Sequence, residues 1–137
     1  MTLPWMIHIV DDDEPVRTSL SFVLETVGFR VASYADAEDF LKRDSPETGI
    51  LVSDVRMPGI SGIKLTQLLK NGGSSMPVIL ITGHASAELR SEAMVVGAES
   101  MLEKPVKLPV LLAEITRASE RLSLAEGISS SSPKISS

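Results

Sequence analysis

The sequence predicts an α/β fold in which a parallel β-sheet lies between layers of α-helices. Short apolar segments rich in β-branched residues alternate along the chain with amphipathic segments of helical spacing. Three of the apolar segments are nearly unbroken, which is typical of strands buried on both faces of a parallel sheet. Five strands that alternate with five helices imply right-handed crossovers and a doubly wound sandwich.

The first part of this pattern contains two strands and two helices. Met6 to Val10 is apolar apart from one histidine and predicts the first strand. Apolar residues then recur at helical spacing up to Gly28, which is placed to end the helix. These residues are Val16, Leu20, Val23 and Val27. Val31 to Tyr34 is a weaker strand candidate, and Phe40 with Leu41 marks a short second helix.

The second part contains three strands and three helices. Ile50 to Val52 and Val78 to Ile81 predict the third and fourth strands, and Ser100 to Glu103 is a weaker fifth. The third helix is expected to end before Asn71-Gly72-Gly73 and the fourth to stop at Gly97. Apolar residues at helical spacing mark these helices: Leu65, Leu68 and Leu69 in the third, Leu89, Ala93 and Val96 in the fourth, and Leu111, Ile115, Ala118 and Leu122 in the fifth.

Length, composition and charge narrow the class of protein. The chain has 137 residues, of which 43% are hydrophobic, and this fits one domain with one substantial core. We predict that this domain covers residues 1–126 and that 127–137, which are mostly serine, form a tail or linker. Cysteine is absent, which excludes disulfides, thiolate nucleophiles and zinc–thiolate sites. A net charge of −5 argues against direct nucleic-acid binding by this domain.

The cellular location is predicted from two further features. No apolar run approaches the roughly 18 residues of a membrane span. Met1 to Met6 lacks the basic and apolar regions of a secretory signal. We therefore expect a cytoplasmic protein that does not contact a membrane.

Polar residues follow four of the predicted strands, where open parallel sheets bind their ligands. Asp11-Asp12-Asp13 follows the first strand, Asp54 the third, Thr82-Gly83 the fourth, and Glu103-Lys104-Pro105 the fifth. Folding brings Asp11, Asp12 and Asp54 to one rim, where three carboxylates cannot all ionise without cost. A hard cation such as Mg²⁺ resolves that conflict. The set predicts a magnesium site at which Asp54 accepts a phosphoryl group whose charge Lys104 and Thr82 stabilise.

Each of these residues also has a simpler structural interpretation. We assign Asp13 as the cap of the following helix and leave it outside the site. Thr82 alone is more typical of a hydroxyl that bonds the local backbone, and Lys104 alone of a solvated turn. His84 and His8 are interpreted as structural. The functional prediction therefore rests on the agreement of four strand ends in chain order.

The same segments resemble the receiver domains of two-component response regulators, over nearly all of residues 6–124. The matching segments are IVDDDEPVR (9–17), LVSDVRMPGISG (51–62), LITGHA (80–85) and EKP (103–105). VRMPGISG and ITGHA are most similar to the FixJ branch, whose members usually join the receiver to a helix-turn-helix DNA-binding domain. The resemblance implies a flavodoxin-like, five-stranded sheet in the order 2-1-3-4-5.

The resemblance also implies a role for each site residue. Asp54 corresponds to the phosphorylated aspartate, Thr82 to the switch hydroxyl that moves to the phosphoryl group, and Lys104 to the cation that pairs with its oxygens. The implied Mg²⁺ ligands are Asp11, Asp12, Asp54 and the backbone carbonyl of Arg56. The bond between Lys104 and Pro105 is expected to be cis.

Two further expectations concern the loop after the third strand and the fifth strand itself. Pro58, Gly59 and Gly62 are expected to shape that loop, where the backbone must be flexible. Met101 departs from the family, which usually has Phe or Tyr at this position, turning inward on activation. Methionine repacks readily but has no ring. We therefore expect weaker coupling from Thr82 to the face formed by the fourth helix.

We predict a phosphoacceptor regulator rather than an enzyme, in which Asp54 takes a phosphoryl group from a sensor histidine kinase or phosphotransfer protein. The chain itself catalyses only this transfer and a slow autodephosphorylation. The added charge biases the fourth helix and fifth strand towards a form that binds a partner, including a second copy of the chain. This change controls partner binding or transcriptional output.

Two other functions stay open at this point. A Mg²⁺-dependent phosphatase would also pass through an aspartyl-phosphate, but such enzymes often carry a second acid two residues after the nucleophile, where Arg56 stands here. A degenerate, unphosphorylated interaction module is the other alternative. The complete set of site residues argues against it.

Overall fold

The computed structural model describes residues 5–43 and 49–125. Strands and helices alternate along this part of the chain: β1 (Met6–Val10), α1 (Glu14–Val27), β2 (Arg30–Tyr34), α2 (Ala37–Leu41), β3 (Gly49–Asp54), α3 (Gly62–Asn71), β4 (Val78–Thr82), α4 (Ala87–Val95), β5 (Ser100–Glu103) and α5 (Leu108–Ala125). The outer ends of the predicted domain, residues 1–4 and 126, lie outside the described residues. So does the tail or linker predicted at 127–137.

The five strands form one parallel sheet in the order β2-β1-β3-β4-β5, which confirms the expected topology. The register aligns the carboxyl ends of neighbouring strands. Val10 of β1 pairs with Ser53 of β3, and Thr82 of β4 pairs with Glu103 of β5. The polar residues that follow these strands therefore meet along one edge of the sheet, as the sequence predicts.

Helices cover both faces of the sheet. Successive residues of a strand point to opposite faces, so that Ile79 packs on the side of α1 and α5, and Leu80 on the side of α2, α3 and α4. The four apolar residues that mark α5 in the sequence are all buried: Leu111, Ile115, Ala118 and Leu122. Among the described helices, none is both long and apolar enough to cross a membrane.

The buried face of α1 differs from the apolar stripe that marks this helix in the sequence. Val16 and Val27, in its first and last turns, are 37% and 44% exposed, whereas Leu24 is fully buried. The helix ends are as expected. The Asp13 carboxylate accepts a hydrogen bond from the Val16 N–H at 3.2 Å, and Gly28 ends α1 with a φ of 116°.

Strands β1 and β5 have the predicted bounds, and several other boundaries differ from prediction by one or two residues. Strand β3 continues beyond Val52 because the backbones of Ser53 and Asp54 still pair with β4, although these side chains are polar. Helix α3 includes Asn71, and α4 already ends at Val95. Polar side chains at the end of a strand interrupt the apolar sequence pattern, but the backbone hydrogen bonds between strands continue through them.

Candidate functional site

Three carboxylates meet at the carboxyl edge of the sheet. Asp11 follows β1, Asp54 is the last residue of the adjacent β3, and Asp12 follows Asp11. Each offers a carboxylate oxygen, and these oxygens all lie within 4.8 Å of one another. Asp11 and Asp54 are only 3% and 8% exposed, whereas Asp12 faces solvent. The cluster is therefore built into the fold but can be reached from outside.

Lys104 supplies positive charge to this cluster. Its Nζ lies 3.3 Å from Asp54 Oδ2 and 3.6 Å from Asp11 Oδ2. The backbone helps to place the side chain, because the Lys104 N–H donates to the Thr82 carbonyl at 2.8 Å. The bond to Pro105 is cis, as expected from the resemblance.

Burial and charge act on these groups in opposite directions. Burial raises the pKa of Asp54; the nearby Lys104 ammonium opposes this shift, while the Asp11 carboxylate adds to it. Burial alone would lower the pKa of Lys104, but Asp11 and Asp54 together outweigh burial and raise it. Lys104 thus carries its full charge at neutral pH, and burial of Asp54 makes its ionised form more costly than that of an exposed aspartate.

Thr82 lies at the same edge, at the end of β4, and is almost completely buried. Its hydroxyl oxygen accepts a hydrogen bond from the His84 N–H at 3.2 Å. The simpler interpretation, a hydroxyl that bonds the local backbone, therefore describes its contact in this structure. Its role as a switch stays a prediction.

The two histidines differ in their surroundings. His84 is exposed in the loop after β4. His8 is buried in β1, where its Nδ1 lies 3.1 Å from the Tyr34 hydroxyl and its ring packs edge-on against Phe40. The packing of His8 supports the structural interpretation.

The loop after β3 passes close to the acceptor candidate. Arg56, whose carbonyl is the implied fourth protein ligand, lies two residues after Asp54 and has an exposed side chain. Gly59 has a φ of +79°, which L side chains rarely adopt. Gly62 does not have a positive φ, and the constraint on it is of another kind. A Cβ at Gly62 would lie 2.3 Å from the Asp54 carbonyl oxygen, and close packing is what requires glycine at this position.

One residue of the site has no predicted role from the sequence. Arg17, the last residue of the segment IVDDDEPVR, donates from Nη1 to the backbone carbonyl of Asp11 at 2.7 Å. An arginine in the first turns of an exposed helix is ordinarily a solvated residue, and its contact to a carbonyl appears only in the folded chain. The sequence therefore carries no signal for this bond.

The ligand chemistry of the cluster fits a hard cation. Carboxylate oxygens are preferred by Mg²⁺ and Ca²⁺, and the described residues place no histidine among the three aspartates. A cation held here would lie next to Asp54 and Lys104 and would supply positive charge for an incoming anionic group. The cluster can therefore hold a metal ion beside a nucleophilic carboxylate.

Comparison with known proteins shows which family has a sequence like that of this chain. Residues 7–116 match the family described as the response regulator receiver domain. The transcriptional regulatory protein FixJ of Rhizobium meliloti is 44% identical over 123 residues, which cover 89% of this chain and 60% of that protein. FixJ of Azorhizobium caulinodans is 43% identical over 122 residues, covering 88% of this chain and 57% of that protein. The chain thus spans roughly three fifths of these relatives.

The solved structures show the same likeness. The crystal structure of FixJ-N superposes with a TM-score of 0.78 at 43% identity, over 87% of this chain and 96% of that one. Full-length FixJ from B. japonicum gives a TM-score of 0.83 at 39% identity, over 92% of this chain and 63% of that one.

Proposed function

This chain belongs to the family of response regulator receiver domains, and from this premise we propose that Asp54 is its phosphorylated residue. The domain is regulatory rather than an enzyme that turns over a substrate. One observation carries the proposal. Asp54 shares a cluster of three carboxylates with Asp11 and Asp12, and its Oδ2 lies 3.3 Å from the Lys104 ammonium.

The proposed transfer uses the groups at this edge of the sheet. A carboxylate oxygen of Asp54 attacks the phosphorus of the donor, a new O–P bond forms, and the bond from phosphorus to the leaving group breaks with its electron pair. The attack needs Asp54 ionised, and Lys104 opposes the effect of burial on its pKa. The Lys104 ammonium, which contacts Asp54, then pairs with the phosphoryl oxygens, and the buried Thr82 hydroxyl turns towards them.

Magnesium is the cation that we propose for the cluster. Asp11, Asp12, Asp54 and the carbonyl of Arg56 would hold it, and a cation held there would supply positive charge to a phosphoryl group in transfer. The all-oxygen ligand set and the partly solvent-open cluster support Mg²⁺, which keeps several waters when it binds proteins.

The partners belong to the same proposal. The phosphoryl donor is a sensor histidine kinase or a phosphotransfer protein, and phosphorylation controls partner binding or transcriptional output. The relatives named as transcriptional regulatory proteins support this output. A homodimer through the α4/β5 face, a cytoplasmic location and no direct contact of this domain with nucleic acid or membrane are proposed with it.

A labelling experiment tests the assignment. The protein is incubated with acetyl phosphate with and without Mg²⁺, and intact-mass spectrometry follows the addition of one phosphoryl group. We expect one adduct, formed only with Mg²⁺ and cleaved by hydroxylamine, in the wild type and in the control Asp13→Asn, since Asp13 caps α1 and lies outside the cluster. The adduct should be lost in Asp54→Asn, and its persistence there would show that another residue is the acceptor.

A further inference from the structure

We propose that Arg17 is a positioning residue of this site, which holds the loop between β1 and α1 in the form that binds a divalent cation. The inference rests on the proposed function, because it concerns the cation that Asp11, Asp12 and Asp54 would hold. Arg17 itself is not expected to touch the cation or the phosphoryl group.

The contact of Arg17 spans the whole loop. Its backbone N–H donates to the Asp13 carbonyl at 2.9 Å as part of the first turn of α1. Its side chain reaches back six residues, and Nη1 donates to the Asp11 carbonyl at 2.7 Å. A short bond from a guanidinium to a backbone oxygen is charge-assisted and stronger than a neutral one.

With the bond from Arg17, each polar atom of Asp11 has a contact: its N–H, its carbonyl oxygen and both carboxylate oxygens. The Asp11 N–H donates to the Tyr34 carbonyl at 3.2 Å, and its Oδ1 accepts from the Asp13 N–H at 2.9 Å. Its Oδ2 faces Lys104 at 3.6 Å, and its carbonyl is held by Arg17. These contacts come from β2, the loop, the residue after β5, and α1. Asp11 is thus oriented before any cation arrives.

The carbonyl that Arg17 holds belongs to the peptide group that joins Asp11 to Asp12. Because a peptide group is planar, fixing its carbonyl fixes the plane that links these two candidate ligands. Asp12 is exposed, so its approach to the cluster depends on that plane more than on packing around its own side chain. A ligand pair oriented in advance loses less conformational freedom on binding a cation.

The positive charge of Arg17 should weaken cation binding, whereas its positioning role should strengthen it. The direction in which cation affinity changes when Arg17 is replaced therefore tests the proposal. A guanidinium beside the cluster repels a divalent cation. If Arg17 acted by charge alone, its removal would strengthen cation binding. If it positions the peptide between Asp11 and Asp12, its removal weakens cation binding.

The experiment is a calorimetric titration of the phosphate-free protein with Mg²⁺ and with Mn²⁺. Arg17→Met should raise the Kd about tenfold, in the range found when groups that support metal ligands are removed. Arg17→Lys should raise it by a smaller factor, because lysine keeps the charge but is shorter and donates from a single nitrogen. The matched control is Arg90→Met, since Arg90 Nη1 donates to the Met101 carbonyl at 3.2 Å but joins α4 to β5. Its Kd should equal that of the wild type.

The outcomes separate this inference from the proposed function. If the wild type binds the cation and Arg17→Met binds equally or more tightly, the positioning role is wrong and the proposed site stands. If the wild type does not bind, the cation site is wrong and the role of Arg17 with it. Should Arg17→Met fail to fold by circular dichroism, Arg17→Lys decides the matter, and a Kd equal to that of the wild type would contradict the proposal.

Discussion

The Nζ of Lys104 lies 3.3 Å from the Oδ2 of Asp54, although β4 lies between β3, which ends at Asp54, and β5, which ends just before Lys104. The lysine side chain therefore crosses the carboxyl end of β4, where Thr82 lies, to reach the candidate acceptor. This crossing brings a positive charge to the carboxylate that would be phosphorylated. It also links three strands of the sheet at one point.

The crossing predicts a large effect of Lys104 on phosphorylation. Lys104→Gln removes the ammonium that would pair with the phosphoryl oxygens, and we expect labelling of Asp54 by acetyl phosphate to slow about 100-fold, as when a preorganised donor is removed from a transfer site. Lys107→Gln is the matched control, since Lys107 is exposed three residues further on and should label at the wild-type rate. Mass spectrometry over time gives both rates. Equal rates for the two variants would exclude a role for Lys104 in transfer.

A cation should stabilise the folded chain without any phosphate. Binding to the folded state alone raises the free energy of unfolding by about 2.7 kcal/mol at a concentration 100 times the Kd. Asp12→Ala should abolish this rise and should raise the metal-free melting temperature, because it removes one of three clustered carboxylates. Thermal melts with and without Mg²⁺ measure both effects, and Glu120→Ala on the exposed face of α5 should keep the full response. A full response in Asp12→Ala would place the cation elsewhere.

The raised pKa of Asp54 predicts how stability changes with pH. An acid whose pKa is higher in the folded than in the unfolded chain binds its proton more tightly when folded, so ionisation destabilises the fold. The penalty is absent below the unfolded pKa, near 3.8, and complete above the folded pKa. Metal-free Asp54→Asn should therefore be more stable than the wild type at pH 7, and the difference should shrink as the pH falls towards 3.8. Urea unfolding at several pH values tests this, and a difference that does not depend on pH would contradict it.

The sequence predicts the strand order through its resemblance to receiver domains. It predicts the edge of the sheet that carries the site from the polar residues that follow the strands. Both predictions depend on short segments of sequence. An apolar run marks a buried strand, and polar residues after it mark the edge. What the sequence does not predict is contact between side chain and distant backbone. The bond from Arg17 to the Asp11 carbonyl and the packing of Gly62 on the Asp54 carbonyl exist only after the helices dock on the sheet. The exposure of Val16 likewise depends on where α1 meets the sheet.

The close approach of Gly62 to Asp54 predicts a specific loss of stability. An added Cβ would lie 2.3 Å from the Asp54 carbonyl oxygen, so Gly62→Ala must displace backbone on one side or the other. We expect a loss of about 1–3 kcal/mol in the free energy of unfolding, typical of overpacking. We also expect slower labelling, because the displaced residue is the acceptor candidate. Gly83→Ala is the control, since a Cβ there meets nothing within 4 Å. Equal free energies of unfolding for the two variants in urea would show that the backbone around Gly62 and Asp54 accommodates the added Cβ without strain.

The last prediction concerns Met101, whose side chain is already buried on the side of the sheet covered by α4. Phosphorylation should still draw Thr82 towards Asp54, because that attraction is a local, charge-assisted hydrogen bond. Methionine should fill the space that Thr82 leaves by small rotamer changes. The phosphorylated and unphosphorylated forms should then differ little in the shape of the α4/β5 face. Phosphorylation-dependent self-association should therefore be weak.

Met101→Phe should strengthen this association while the rate of labelling by acetyl phosphate stays nearly unchanged. A ring overfills the unphosphorylated core, which costs stability, and it gains room when Thr82 moves. Leu102→Phe is the matched control, since Leu102 packs on the opposite side of the sheet and should leave association unaltered. Sedimentation of all three proteins with and without beryllium fluoride measures the dimer. Equally tight activated dimers of the wild type and Met101→Phe would mean that the missing ring does not limit the switch.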